Sequence, residues 1–412
     1  MVLPEREPVG DAIIIDGSAL INATPPRNSK TFEDYVCDDI LPKVQSYGAK
    51  YEQVDIVFDV YKKSSLKSET RLKRGQGIRR RVSGTSKTPK DWKSFLRNDE
   101  NKTELFNFLA EKICSAETTC TIIVTKGEDV ISNKELSLEE VTPCCHEEAD
   151  TRIFVHARHA ILCGRKSLII KANDTDILVI AVSVLTALQS IGLQNMWLAF
   201  GQGANARWIP VHEIVSAIGS QKASGILYFH AFTGCDTVSA FRGKGKKSAW
   251  LTWKVCDEAT ETFTKLSNCP AEVSDVDMQK LERFVALMYD RSSATDGVDE
   301  ARLDLFARKQ RSYDAIPPTS AALKEHAKRA AYQAGIIWGQ ATVSNPETDS
   351  PANWGWSQKD DTWQICWTAL PPIATSCQEL TKCSCKKGCN RRCKCFRSGL
   401  ECTALCSCVC EQ

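Results

Sequence analysis

The sequence predicts an α/β protein: a parallel sheet flanked by helices, then a helical extension and a small C-terminal zinc-cluster module. Three observations predict it. Apolar runs of strand length alternate with helical stretches as far as Phe200, and acidic residues stand where those runs end. Ten of the 20 cysteines are crowded between Cys377 and the end of the chain.

DAIIIDGSALINA reads as a buried strand running into a loop and helix. A helical stretch around Thr31 to Tyr47 precedes a second strand, QVDIVFDV. CTIIVT is a strand and EEADTRIFVHARHAILCG a helix. SLIIKA is a strand, TDILVIAVSVLTALQSIG a strand then a helix, and MWLAF a further strand. Such alternation implies a sheet covered on both faces, with ligands at the carboxyl ends of its strands. Beyond Asp236 the text becomes helical, with apolar residues at helical spacing over 279–292 and 320–335. Trp354, Trp356, Trp363 and Trp367 in an aperiodic stretch predict a small packed connector.

At 42% hydrophobic and 25% charged, the composition of the 412 residues is that of a soluble globular protein. No apolar run approaches the ~20 residues that span a bilayer. MVLPEREPVGD lacks the apolar stretch of a signal peptide, so the expectation is an intracellular chain with no membrane partner. The net charge of +2 conceals a segregated patch: nine Lys or Arg residues lie between Lys62 and Arg81, against Glu69 alone. That patch reads as a nucleic-acid surface, a nuclear-localisation signal or a solvated basic loop.

The acidic set consists of Asp16 after AIII, Asp59 after VDIVF, Glu148 and Asp150 in HEEADTR, Asp174 and Asp176 in NDTD, and Asp236 in TGCD. A single aspartate after a strand is an ordinary helix cap. Several converging carboxylates repel one another, however, and stay ionised only with cations between them. Asp174-x-Asp176 alone would also fit a haloacid-dehalogenase-like phosphatase, but that reading expects the pair near the first strand. Glu147 rivals Glu148, since residues 147 and 150 share a helix face. His146, His156, His159 and His230 read as core or supporting residues, and Cys235 as a buried thiol.

In order and spacing, IIIDGS, VFD, Glu148-Ala149-Asp150, Asp174-x-Asp176 and Gly234-Cys235-Asp236 resemble the flap endonuclease/XPG-type branch of the PIN-like nucleases, over residues 11–255. The resemblance implies a PIN-like sheet in which these seven carboxylates hold two Mg²⁺ (or Mn²⁺) ions. Its E-x-E/D pattern favours Glu148 over Glu147. It implies that Gly243-x-Gly245-Lys246 is a hairpin gripping duplex phosphates through backbone N–H groups. It also implies that the basic patch lies where the family places a gateway over the site, with Arg71, Lys73 and Arg74 the chosen phosphate contacts. The remaining divisions expected are a helical extension over 256–342, the Trp-rich connector over 343–376 and the cysteine-rich domain over 377–412.

In the tail, Cys383, Cys385, Cys389, Cys393, Cys395, Cys402, Cys406, Cys408 and Cys410 are the expected zinc ligands, with Cys377 left over. Three tetrahedral zinc ions present twelve positions, which nine thiolates fill if three of them bridge. The pattern resembles the tesmin-type CXC domain, which implies a Zn₃Cys₉ cluster. DNA-reading members carry a tyrosine just before the cysteine matching Cys393. Here that residue is Arg392, and the closing spacing is one residue shorter. The expected function is a Mg²⁺-dependent, structure-selective nuclease acting on DNA, with RNA as the alternative substrate. The zinc module would dock it on DNA or chromatin in the nucleus. A non-catalytic DNA- or chromatin-binding adaptor that keeps the fold is the competing class.

Overall fold

In the computed structural model, the described residues are 3–62, 65–67, 77–201, 203–307, 315–360 and 362–370, with Cys383, Cys385, Cys389, Cys393, Cys395, Cys402, Cys406 and Cys408. Seven strands form one mixed sheet: β1 Ala12–Asp16, β2 Gln53–Val57, β3 Thr121–Lys126, β4 Asp129–Ser132, β5 Ser167–Lys171, β6 Asn195–Phe200 and β7 Arg207–Pro210. Their order is β4-β3-β2-β1-β5-β6-β7. The five from β3 to β6 run parallel, and β4 and β7 pair antiparallel at the edges. From β1 the chain builds β2, β3 and β4 outward on one side, then crosses back through the helix Ala149–Leu162 to place β5, β6 and β7 on the other. The crevice of a doubly wound sheet opens at such a reversal, at the carboxyl end of the strands.

Strand β1 is buried on both faces. Ala12 and Ile14 join a core that includes Ile153, Ile177, Phe232, Phe263 and Phe284, while Ile13 and Ile15 join one with Phe32, Tyr35, Phe58 and Leu105. The helices Glu258–Ser267, Asp275–Tyr289 and Ser320–Ala331 thus pack into the same core as one face of the sheet. Trp354 and Trp356 belong to that core as well, and Trp363 packs against it. A two-stranded hairpin, β8 Trp356–Lys359 with β9 Thr362–Ile365, carries two of these tryptophans.

The run TDILVIAVSVLTALQSIG departs from expectation. It is helical throughout, as Thr175–Ser190. Asp174 caps its first turn by accepting the Asp176 N–H at 2.9 Å, so no strand precedes it. An apolar run of this kind cannot be told from a strand by periodicity when the helix is buried on most sides. Strands β4 and β7 were also unforeseen. Each is four residues long and sits at an edge, where little apolar pattern is required.

The helix Ala149–Leu162 lies against β1 and β2. Arg152 on it is fully buried, and its guanidinium donates to the carbonyls of Gly127, Glu128 and Asp129 in the β3–β4 turn. One turn on, His156 Nδ1 meets Asp55 of β2 at 2.7 Å, both side chains being wholly buried. No helix among the described residues is long and apolar enough to cross a membrane.

Candidate metal centre

At the carboxyl end of the sheet, a cavity of about 450 Å³ is lined by Asp16, Asp59, Glu148, Asp150, Asp174 and Asp236. Each arrives by local rules. Asp16 ends β1 and caps the helix Gly17–Ala23, accepting the Ala19 N–H at 3.1 Å. The turn there requires glycine, because a Cβ on Gly17 would lie 2.2 Å from the Phe58 ring. Asp59 follows β2 and accepts from Ser18 Oγ at 2.8 Å, Tyr61 Oη at 3.2 Å and the Ala149 N–H at 2.8 Å. Glu148 occupies the N-cap position of Ala149–Leu162, and Asp150 lies in its first turn. Asp174 caps Thr175–Ser190. Asp236 sits exposed beyond a turn in which Gly234 takes φ +113° and the Cys235 N–H reaches the Val238 carbonyl at 2.9 Å.

Asp176, the seventh expected carboxylate, points elsewhere. It is buried, and its Oδ1 lies 2.8 Å from His230 Nε2. Of the two adjacent glutamates, Glu148 lines the acidic cavity, whereas Glu147 lines a neighbouring one.

The electrostatics of this crowding are legible. Burial pushes the Asp16 carboxyl up to about 7, with Asp59 and then Asp174 adding to it against two backbone hydrogen bonds. Burial raises Glu148, and burial followed by the Glu148 charge raises Asp150 well above the usual range. Partial burial, with the Asp176 charge added, raises Asp174. Protein groups alone do not neutralise the set, so it favours either protons or cations. The donors are carboxylate oxygens, which suit hard divalent ions such as Mg²⁺ or Mn²⁺.

Sequence reasoning missed one cation. Lys67 Nζ lies 2.5 Å from Glu148 Oε1, inside the cavity. Burial opposes its charge, but Glu148 and Asp150 outweigh that and hold the ammonium above the ordinary lysine range. The signal was its place in the basic patch, where it is one of nine cations. Arg71, Lys73 and Arg74 lie outside the described residues. Lys102 also lines the cavity, with Nζ 4.0 Å from the centre of the Tyr61 ring and 2.9 Å from Asp99.

The Gly243–Lys246 segment is a turn between the helices Ser220–Phe232 and Lys246–Trp253. Gly243 takes φ +70°, and neither Gly243 nor Gly245 has an atom within 4 Å of where a Cβ would sit. Backbone N–H groups at the start of Lys246–Trp253 have no side-chain cap. Lys246 Nζ donates to the carbonyls of His230 at 2.7 Å and Gly234 at 2.6 Å and to Thr233 Oγ1 at 3.1 Å. Its ammonium thus closes the end of Ser220–Phe232, so what this turn offers a phosphate is its backbone and the neighbouring exposed Lys247.

In the tail, two sets of four thiols each lie within 4.8 Å of one another: Cys383, Cys395, Cys402 and Cys406, and Cys383, Cys389, Cys393 and Cys402. Cys383 and Cys402 are common to both, the arrangement expected of bridging thiolates. Cys389 and Cys402 sulfurs are 3.3 Å apart, and Cys383 and Cys408 sulfurs 3.6 Å. Cys377 and Cys410 lie outside the described residues.

The protein is therefore a mixed α/β chain with a seven-stranded, mostly parallel sheet, a carboxylate cavity at its switch point and a C-terminal cysteine cluster able to hold zinc. No family model matches the sequence, and no curated protein does. Among solved structures, a flap endonuclease of bacteriophage T5, in a pseudo-enzyme–product complex with DNA and metal ions, matches with a TM-score of 0.36 and 11% identity. The match covers 73% of this chain and 99% of that one. A likeness at that level assigns no residue a role.

Proposed function

We propose that the chain is a metal-dependent phosphodiester hydrolase acting on DNA. The observation that carries this reading is the cavity into which Asp16, Asp59, Glu148, Asp150, Asp174 and Asp236 converge from the ends of different elements. These six would hold the ions, while Asp176, paired with His230, adds its charge beside Asp174. When bound, a pair of Mg²⁺ ions supplies Lewis acidity and a nucleophile at neutral pH.

The chain's own residues supply the rest. Ser18, Tyr61 and the Ala149 N–H fix both oxygens of Asp59, so its carboxylate cannot rotate freely. Lys67 holds Glu148 in place and offers an ammonium beside the position of the scissile phosphate. The uncapped turn at Gly243–Lys246 gives a duplex backbone its N–H groups some way from the chemistry. In the tail, three zinc ions on the nine cysteines would shape a compact docking module for DNA or chromatin, and a nuclear location fits both parts.

The test is incubation with flap and nicked duplex DNA in Mg²⁺ and then in EDTA, beside Asp174→Ala. Cleavage that needs Mg²⁺ and is lost in the variant supports the hydrolase. Tight DNA binding without cleavage in either would favour the non-catalytic adaptor. A binding module gains nothing, however, from carboxylates massed against phosphates.

A further inference from the structure

Beside the carboxylate cavity lies a second and larger one, about 680 Å³ in volume, which shares Lys67 and Glu148 with it as a common wall. Its far side is built outside the carboxylate-bearing elements, by Tyr332, Gln333, Ile336 and Ile337 of a π-helical segment and by Asp349 and Trp363 of the connector. We propose that this cavity receives one unpaired nucleobase of the strand whose phosphate sits among the carboxylates. The inference rests on the hydrolase reading above.

The chemistry of the walls selects this occupant. The volume is within the ~300–1,000 Å³ of small-molecule sites, and among its polar and charged lining Leu66, Tyr332, Ile336, Ile337 and Trp363 supply apolar surface for a flat ring. Glu147, Glu148 and Asp349 outnumber Lys62 and Lys67 on the lining, a balance that does not favour a phosphate there. Carboxylates instead accept from the ring N–H and exocyclic amino groups of bases. A donor is present too. Gln333 is 4% exposed, and its Oε1 accepts the Thr237 hydroxyl at 2.7 Å. Its Nε2 is the remaining donor of a side chain that lines the cavity, and a base acceptor held there would be within its chemistry. Finally, the Lys67–Glu148 pair stands at the junction of the two cavities. A nucleotide threaded past it would leave its phosphate on the acidic side and its base on the apolar side.

The test uses the full chain with Mg²⁺ and a 5′-flap DNA substrate, intact or with a single abasic residue at each nucleotide flanking the cut. The expected result is a fall in kcat/KM of about tenfold for the abasic residue at one of these positions, the scale of losing one base-stacking contact. Ile337→Trp, which fills the cavity, should reduce cleavage of the intact substrate by a similar factor and remove the difference between intact and abasic. Should that variant not fold, Gln333→Leu in its place should narrow the same difference. Cleavage by the wild type that is equal for every abasic position would overturn the base pocket while leaving the hydrolase standing. Absence of cleavage with any substrate would overturn both.

Discussion

The carboxylate cavity and the cysteine tail both gather metal-binding side chains, yet opposite causes hold them together. Around the cavity, two apolar cores pin the strands and helices that deliver the acids, and the acids repel one another within that frame. In the tail, Cys383, Cys393 and Cys395 are buried, and the partners they pack against among the described residues are other cysteines. The fold makes the first site; in the second, on the zinc reading, the ions would make the fold. Losing metal should therefore silence the one and dismantle the other.

The largest expected effect breaks the comparison if it fails. Chelating zinc should unfold residues 377–412, visible as new protease cleavage there, because structural zinc supplies on the order of 10 kcal/mol of folding free energy. The melting of the sheet should not move. Elemental analysis should give three zinc ions per chain, and clearly fewer would end the nine-thiolate cluster. Next comes Asp174→Asn. Cleavage should fall by at least ~10²-fold, the scale of losing one electrostatic contact in a transition state. Its melting temperature should hold or rise, since a repelling charge has gone.

A third effect follows from Asp16. Its folded carboxyl titrates near 7, above its unfolded value, so the folded state binds more protons between the ordinary aspartate range and about 7. The metal-free protein should thus lose stability as pH rises through that window. Thermal melts with EDTA should fall from pH 5 to pH 8. Added Mg²⁺ should restore more at pH 8, by about 2.7 kcal/mol at a hundred times its dissociation constant. The smallest effect is local. Gly17→Ala places a methyl against Phe58 and should cost ~1–3 kcal/mol, read by urea melts.

The sequence displayed what depends on short-range pattern. β1, β2, β3, β5 and β6 are apolar runs flanked by polar turns, and Asp16, Asp59 and Asp174 stood at or just beyond the ends of β1, β2 and β5. It concealed what long-range packing decides. The run from Thr175 could not announce itself as helix until Asp174 was seen capping it. Asp176 was grouped with Asp174 on spacing, but its partner His230 is 54 residues away in sequence. Lys67 was indistinguishable from its basic neighbours, because what singles it out is Glu148, 81 residues downstream.

Arg152 has a consequence for ion choice. Its guanidinium ties the helix that begins with Glu148 and Asp150 to the β3–β4 turn through three carbonyls. Sliding that helix along its axis would strand a buried charge, so the gap between its carboxylates and Asp16 or Asp174 behaves as a fixed gauge. On the hydrolase reading a fixed gauge would sort ions by radius: cleavage should run with a small octahedral ion such as Mg²⁺ and fail with Ca²⁺, which demands longer bonds and more ligands.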